Sequence, residues 1–328
     1  MTMLTNTART ARCLLMAAAV AGGFATAARA DEISVTQWGN SLYGAPYAVA
    51  IEDGAFKKAG VDVTGVIGSG GGGTSVRNTL ASATPYGEVA TSAALAAARQ
   101  GLDVVIVNAA TRTVAEASLV TLPDSKINSL KDLKGKKVAI TNPKSSSEMI
   151  LLLEMQKEGL APGDIQRVAA GGYTQGLTML KQGAVDAAVL IEPLSITRKD
   201  EFKTVVRAKD LLPAMTTSVG ITTRAFAKSN PDKLRALIAG RRAGVKSIYA
   251  DPKAAAALVA KQFNMDSALA EVAVANMIAP RMWSEGDFNP AELEALAQGL
   301  VLVGEITSTP DWDKMIDRSF LPADLQGK

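Results

Sequence analysis

Short apolar runs alternate with longer amphipathic stretches along most of this chain. Ile33–Gln37 and Val61–Ile67 read as strands, with a helix predicted over Tyr47–Lys58 between them. The alternation continues with a helix at Ser75–Ser82, a short strand at Glu88–Ala90, a helix at Ala93–Arg99 and a strand at Val104–Asn108. Strands separated by about 10–15 helical residues indicate βαβ units and a parallel sheet. The pattern then restarts. Ala117–Leu122 is extended, Lys137–Ile140 is a strand and Ser146–Lys157 a helix. Ile165–Val168, Thr174–Gln182 and Ala187–Ile191 repeat the strand, helix, strand order, and Thr204–Val206 is a further short strand. After the extended segment Val219–Thr223 the chain turns helical, over Pro231–Tyr249, Pro252–Phe263, Ser267–Ile278 and Pro290–Val303.

Two α/β blocks and a helical tail predict an α/β protein of two lobes. Ala117–Leu122 and Val219–Thr223 are placed to cross between them as a two-strand hinge. Lobe I then comprises residues 31–123 and 217–328, and lobe II is the insert 124–216. Ligands of open α/β sheets bind beyond the carboxyl ends of the strands. Two such sheets facing one another make the cleft the expected site, and hinge closure encloses the ligand.

Residues 1–30 change the picture of composition. Arg9 and Arg12 precede an apolar run, Leu14–Ala28, and Ala28-Arg29-Ala30 supplies the small residues of a cleavage site. This reads as a signal peptide, so the mature chain is expected to start at Asp31 in the periplasm. Cys13 lies before the apolar run, where a lipid-modified cysteine does not sit. The segment carries three arginines and no acid, so its removal leaves the remainder formally neutral. A neutral chain without a basic stripe offers no field for nucleic acid. Cys13 is the one cysteine and there is no histidine. Residues 31–328 therefore form no disulfide and lack the usual zinc or copper ligands. Ser-His-Asp and Cys-His catalysis are excluded as well. No cofactor is expected, and no pair of acids is spaced for catalysis.

The turns that follow the strands hold the candidate ligand contacts. Gly68-Ser69-Gly70-Gly71-Gly72-Gly73-Thr74-Ser75 leads from a strand into a helix. Free amides at a helix start attract anions, and glycine admits a ligand to the backbone. No G-K-[ST] follows, so the loop is not a Walker motif. Gly71, Gly72, Gly73, Thr74 and Ser75 are thus candidates, against the plainer reading of a flexible turn. Asn142–Glu148 occupies the equivalent place in the second block. Ser145 and Glu148 have capping-box spacing, and Ser145, Ser146 and Ser147 offer hydroxyls to an oxyanion. Trp38 can wall a planar ligand, with Asn40 and Ser41 beside it. Thr91 and Ser92 follow the third strand, and Tyr173 follows Gly171-Gly172; simple helix capping explains both equally. Arg112 can pair an anion bidentately. Glu192, before Pro193, can accept N–H groups from a ligand or hold a contact between lobes. Ser146→Ala and Thr91→Ala are both expected to weaken binding.

The order of these segments resembles the nitrate/sulfonate/taurine-type substrate-binding proteins of ABC importers, the SsuA/THI5-like (NMT1) group. Ala50-Ile51-Glu52-Asp53-Gly54-Ala55-Phe56-Lys57-Lys58-Ala59-Gly60-Val61-Asp62-Val63 looks like the family's first helix and second strand. Leu130-Lys131-Asp132-Leu133-Lys134-Gly135-Lys136-Lys137-Val138-Ala139 resembles the lead-in to its second lobe. Ser145-Ser146-Ser147, Gly183-Ala184-Val185-Asp186-Ala187, Glu192-Pro193 and Ser319-Phe320-Leu321-Pro322 continue the likeness. The resemblance implies a type II periplasmic binding protein fold. It also implies a ligand held between lobes by the loop Trp38–Ser41, by Gly71–Ser75, Thr91, Ser92, Ser145–Ser147 and Glu192. The chain is then expected to be a non-catalytic, monomeric receptor that carries a small organic anion to an ABC permease. Sulfonates, carboxylates and heterocyclic acids all suit that description. An enzyme on the same fold and a ligand-sensing adaptor are the alternatives.

Overall fold

The strand β1, Asp31–Thr36, is buried continuously from Ile33 to Thr36. Such a strand belongs in the interior, between two neighbours, of a sheet covered on both faces. The computed structural model, which describes residues 31–327, places it there. With β2 at Val63–Ser69, β3 at Tyr86–Ala90, β4 at Val105–Thr111 and β10 at Ser218–Thr222, it forms a five-stranded sheet ordered β2-β1-β3-β10-β4. A second sheet uses β5 at Ala117–Thr121, β6 at Lys137–Ile140, β7 at Gln166–Ala169, β8 at Ala187–Ile191 and β9 at Lys203–Arg207, in the order β7-β6-β8-β5-β9. β1 runs parallel to β2 and β3, and β6 parallel to β7 and β8, as βαβ units require. β10 and β5 are each antiparallel to both neighbours, because they bring the chain back from a lobe crossing.

Several boundaries differ from the sequence reading for identifiable reasons. The helix expected over Tyr47–Lys58 is two helices, Ala45–Glu52 and Ala55–Ala59. They are split where Gly54 takes φ 72° and Asp53 accepts from the Ala55 amide at 2.9 Å. The helix expected from Ser75 starts at Gly72, inside the glycine run. Ala117–Thr121 does not cross between sheets. It lies wholly in the second, paired with β8 and β9, so the chain has already crossed by residue 117. The crossing segments are 112–116 and 212–217, and they lie side by side. The Met215 amide donates to Arg112 O at 3.1 Å, and the Thr217 amide to Thr111 O at 3.0 Å.

Helix Pro290–Leu302 follows the long helical stretch and packs on the second sheet's helix Ser146–Lys157. Leu296, Ala297 and Leu300 share an apolar cluster there with Met149, Ile150 and Leu153. A Cβ on Gly299 would lie 2.7 Å from Met149 Cγ, so a glycine permits the close approach. The same cluster includes Val114, Leu212 and Met215 of the crossings. After this helix the chain returns to the first sheet, where Ile316 bridges Ile106 of β4. The proposed signal segment, 1–30, lies outside the described residues.

Candidate functional site

Helix starts from both sheets converge on one cleft of about 990 Å³. From the first sheet comes the glycine run. Helix Gly72–Ala81 has no side-chain cap, and its first internal bond runs from the Ser75 amide to Gly71 O at 3.0 Å. The Gly72, Gly73 and Thr74 amides therefore precede the hydrogen-bonded ladder. Gly72 is required by packing as well: a Cβ there would lie 2.7 Å from the Ala93 Cβ of the next helix. From the second sheet come Ser145 and Ser146, which open helix Ser146–Lys157, and Gly172 and Tyr173, which open helix Tyr173–Lys181. The latter also lacks a side-chain cap. Unsatisfied amides and the positive ends of these helices favour an anion between them.

The expected site residues separate by depth. Asn40, Gly71, Gly72, Gly73, Ser92, Ser145, Ser146 and Tyr173 line the cleft. Ser145 Oγ accepts from the Glu148 amide at 3.3 Å, half of the expected capping box. The other half moves by one residue: Glu148 Oε2 accepts from the Lys144 amide at 2.6 Å, and Arg167 Nε donates to Glu148 Oε1 at 2.7 Å. The loop is thereby fixed from behind.

The remaining expected contacts face elsewhere. Trp38 packs its ring edge-on to Phe263, with centroids 4.9 Å apart, and does not wall the cleft. Ser41 is buried as the cap of the turn Leu42–Gly44. Thr74 is exposed and accepts from Arg77 Nη2 at 2.9 Å. Ser75 is buried and accepts from Thr36 Oγ1 at 2.7 Å, tying the glycine loop to β1. Thr91 Oγ1 donates to Thr216 O at 2.8 Å, inside the hinge. Ser147 Oγ accepts from the Thr141 amide at 2.8 Å. Glu192 accepts from Asn276 Nδ2 at 3.1 and 3.2 Å, and burial raises its carboxyl. Asn276 ends a helix of the C-terminal stretch, so Glu192 makes a bond between that stretch and the second sheet. Arg112 is committed to two acids: Nε donates to Glu292 Oε1 at 3.0 Å, and Nη1 reaches Asp287 Oδ2 at 3.3 Å. It does not line the cleft.

Sequence reasoning missed the cleft's charged residues. Arg77, Lys144 and Arg198 line it against the single acid Glu305. Lys144 reaches Glu305 at 3.9 Å, and Arg198 pairs with Glu201. Arg77 makes no ion pair among the described residues; only Thr74 accepts from it. Its position five residues into the glycine helix, one turn after Thr74, was the available signal. At the hinge end, Tyr43 and Tyr173 line the cleft from opposite sheets. The lining as a whole offers many donors and an excess of positive charge.

The fold and family have known counterparts. The NMT1/THI5-like family model matches residues 41–255. The periplasmic aliphatic sulphonate binding protein SsuA from Escherichia coli is 19% identical, with a TM-score of 0.71 over 88% of this chain and 92% of that one. The alkanesulfonate-binding protein SsuA from Xanthomonas axonopodis pv. citri, bound to MOPS, is 15% identical, with a TM-score of 0.70 over 88% of this chain and 98% of that one. The periplasmic nitrate-binding protein NrtA from Synechocystis PCC 6803 is 14% identical, with a TM-score of 0.67 over 90% of each chain. No curated protein matches the sequence. Two α/β sheets around one cleft are thus the periplasmic binding protein fold. A model that matches well over half of the chain assigns it: the protein belongs to the NMT1/THI5-like family.

Proposed function

We propose that this chain is the exported solute receptor of an ABC importer. It captures a small organic anion between its lobes and hands it to a permease in the inner membrane. One observation carries the reading: uncapped helix starts from both sheets face a single cleft whose charged lining is three cations and one acid. Each lobe supplies part of the anion's contacts, so the ligand binds the closed state better than the open one and drives closure. The cleft volume suits an organic molecule rather than a bare inorganic ion. The sulphonate-binding and nitrate-binding descriptions of the structural relatives agree with an anionic cargo. The N-terminal residues 1–30 supply the export signal, and the working location is the periplasm. No helix among the described residues is long and apolar enough to cross a membrane.

Calorimetric titration with a panel of sulfonates, carboxylates and heterocyclic acids tests this, with mass spectrometry of the mixture afterwards. The expected result is saturable binding of one chemical class, with the compound recovered unchanged. Conversion of a panel member to product overturns the receptor reading. So does failure of the whole panel together with no small molecule retained by freshly purified protein.

A further inference from the structure

We propose that Glu305 is a specificity-determining residue of the cleft: it occupies Lys144 and so disfavours anions that carry a second negative charge. Arg77 is then the lining cation left without an ion pair among the described residues. The role rests on the receptor reading and adds a filter on the charge of the solute.

A carboxylate in the wall of an anion cleft repels the cargo, and Glu305 is the single acid in this lining. The backbone nevertheless holds it there. Helix Pro290–Leu302 ends with Gly304 at φ 70°, a left-handed conformation that glycine takes without strain. The Glu305 amide then bonds back to Leu300 O at 2.9 Å, and the next residue, Ile306, is buried in the apolar cluster shared with helix Ser146–Lys157. The carboxylate meets one cation from each block. Arg99, at the end of helix Thr91–Arg99, has Nη1 3.7 Å from Glu305 Oε1, and the same nitrogen donates to Glu305 O. Lys144 Nζ lies 3.9 Å from Oε2. Lys144 directly precedes Ser145 and Ser146, which line the cleft with it. Its long flexible stem brings an anion seated on those serines within reach of the ammonium. Glu305 and the cargo therefore compete for one lysine. That lysine is about half exposed, so its pairing is weak and exchanges readily. A single negative charge is matched by the helix-start amides and Arg77. A second charge needs Lys144 and meets the Glu305 carboxylate beside it, which is discrimination by repulsion.

Probes that differ by one charge test the filter by calorimetry at neutral pH: ethanesulfonate against 1,2-ethanedisulfonate, benzenesulfonate against 4-sulfobenzoate, and butyrate against succinate. The wild-type chain is expected to prefer the singly charged member of the pair that fits. Glu305→Gln should narrow that preference by about fivefold, the effect of one like charge several ångströms away in a hydrated cleft. Adding Lys144→Gln to that variant should restore the original preference. Asp232→Asn removes an equal charge from the exposed start of helix Pro231–Ala250 and should leave the preference unchanged. A further comparison needs no Glu305 variant, should that fail to fold. Lys144→Gln alone should weaken the singly charged member by about threefold or less, against about tenfold or more for Arg77→Gln. A preference that Glu305→Gln does not move, a narrowing matched by Asp232→Asn, or an equal loss in Lys144→Gln and Arg77→Gln overturns the filter alone. Failure of all six compounds to bind the wild-type chain and Glu305→Gln overturns it too. Failure of the wider anion panel as well overturns the receptor reading with it.

Discussion

Hydroxyls at the helix starts take two roles according to depth. Ser146 opens onto the cleft, whereas Thr91 donates to Thr216 O within the hinge. Ser146→Ala should weaken anion binding by roughly 0.5–1.5 kcal/mol, measured by calorimetry. Thr91→Ala, expected from sequence to do the same, should instead leave affinity unchanged and lower the unfolding midpoint. The cleft arginine and the hinge arginine divide in the same way. Arg77→Ala should cost about 1.5–3 kcal/mol of anion affinity, the range for a hydrogen bond to a charged group, with little change in stability. Arg112→Ala should destabilise the fold, because Glu292, only 6% exposed, loses the guanidinium that neutralises it. The sequence revealed which strand-to-helix junctions open on the cleft. It did not reveal which of two adjacent residues faces the cleft. Neighbouring positions in a helical first turn point about 100° apart, and the direction is set by packing behind the loop. Ser146 and Ser147 show this: one lines the cleft, and the other is turned inward to the Thr141 amide.

At the scale of elements, helix Ser146–Lys157 carries the sharpest expectations. Its cap was legible, since Ser145 and Glu148 have the spacing of a capping box. Ser145→Ala should cost about 1 kcal/mol of stability by loss of the cap, and should loosen the cleft loop as well. The same helix hides Glu154, both of whose oxygens are buried without partners. Burial pushes this carboxyl up to about 8 from an ordinary 4.5. The folded state then holds the proton more tightly than the unfolded chain. Its contribution to stability is full below about pH 4.5 and is lost as pH rises toward 8. Glu154→Gln should flatten that decline in denaturant midpoints measured across the same range, by an amount on the order of a few kcal/mol. Unchanged pH dependence would show that Glu154 finds a partner in solution. The burial itself was not legible. Glu154 follows three consecutive leucines, and the neighbouring helix Pro290–Leu302 that helps cover this face lies far along the chain. The glycine helix was legible as a junction but not in its start. Gly72→Ala should shift the loop, since the added methyl meets Ala93, and should reduce affinity without a change in charge.

For the molecule as a whole, two crossings hydrogen-bonded side by side form the hinge, and two further links tie the C-terminal stretch to the second block. Glu192 holds Asn276, and Lys144 reaches toward Glu305. The two-lobe plan was readable from the restart of the strand–helix pattern near residue 117. The assignment of β5 was not, because an antiparallel return strand has the same hydrophobic run in either sheet. Nor was the place of helix Pro290–Leu302, whose partners at Met149 and Leu153 come from the other block. The central claim is that both lobes hold one anion through the helix starts that face their common cleft. A crystal structure of the chain with the tightest-binding member of the anion panel tests it most directly. Density for the acid group bridging Gly71–Gly73 and Ser145–Ser146, with Arg77 turned toward it, is the predicted result. Density held by one lobe alone, or seated away from both loops, would contradict it.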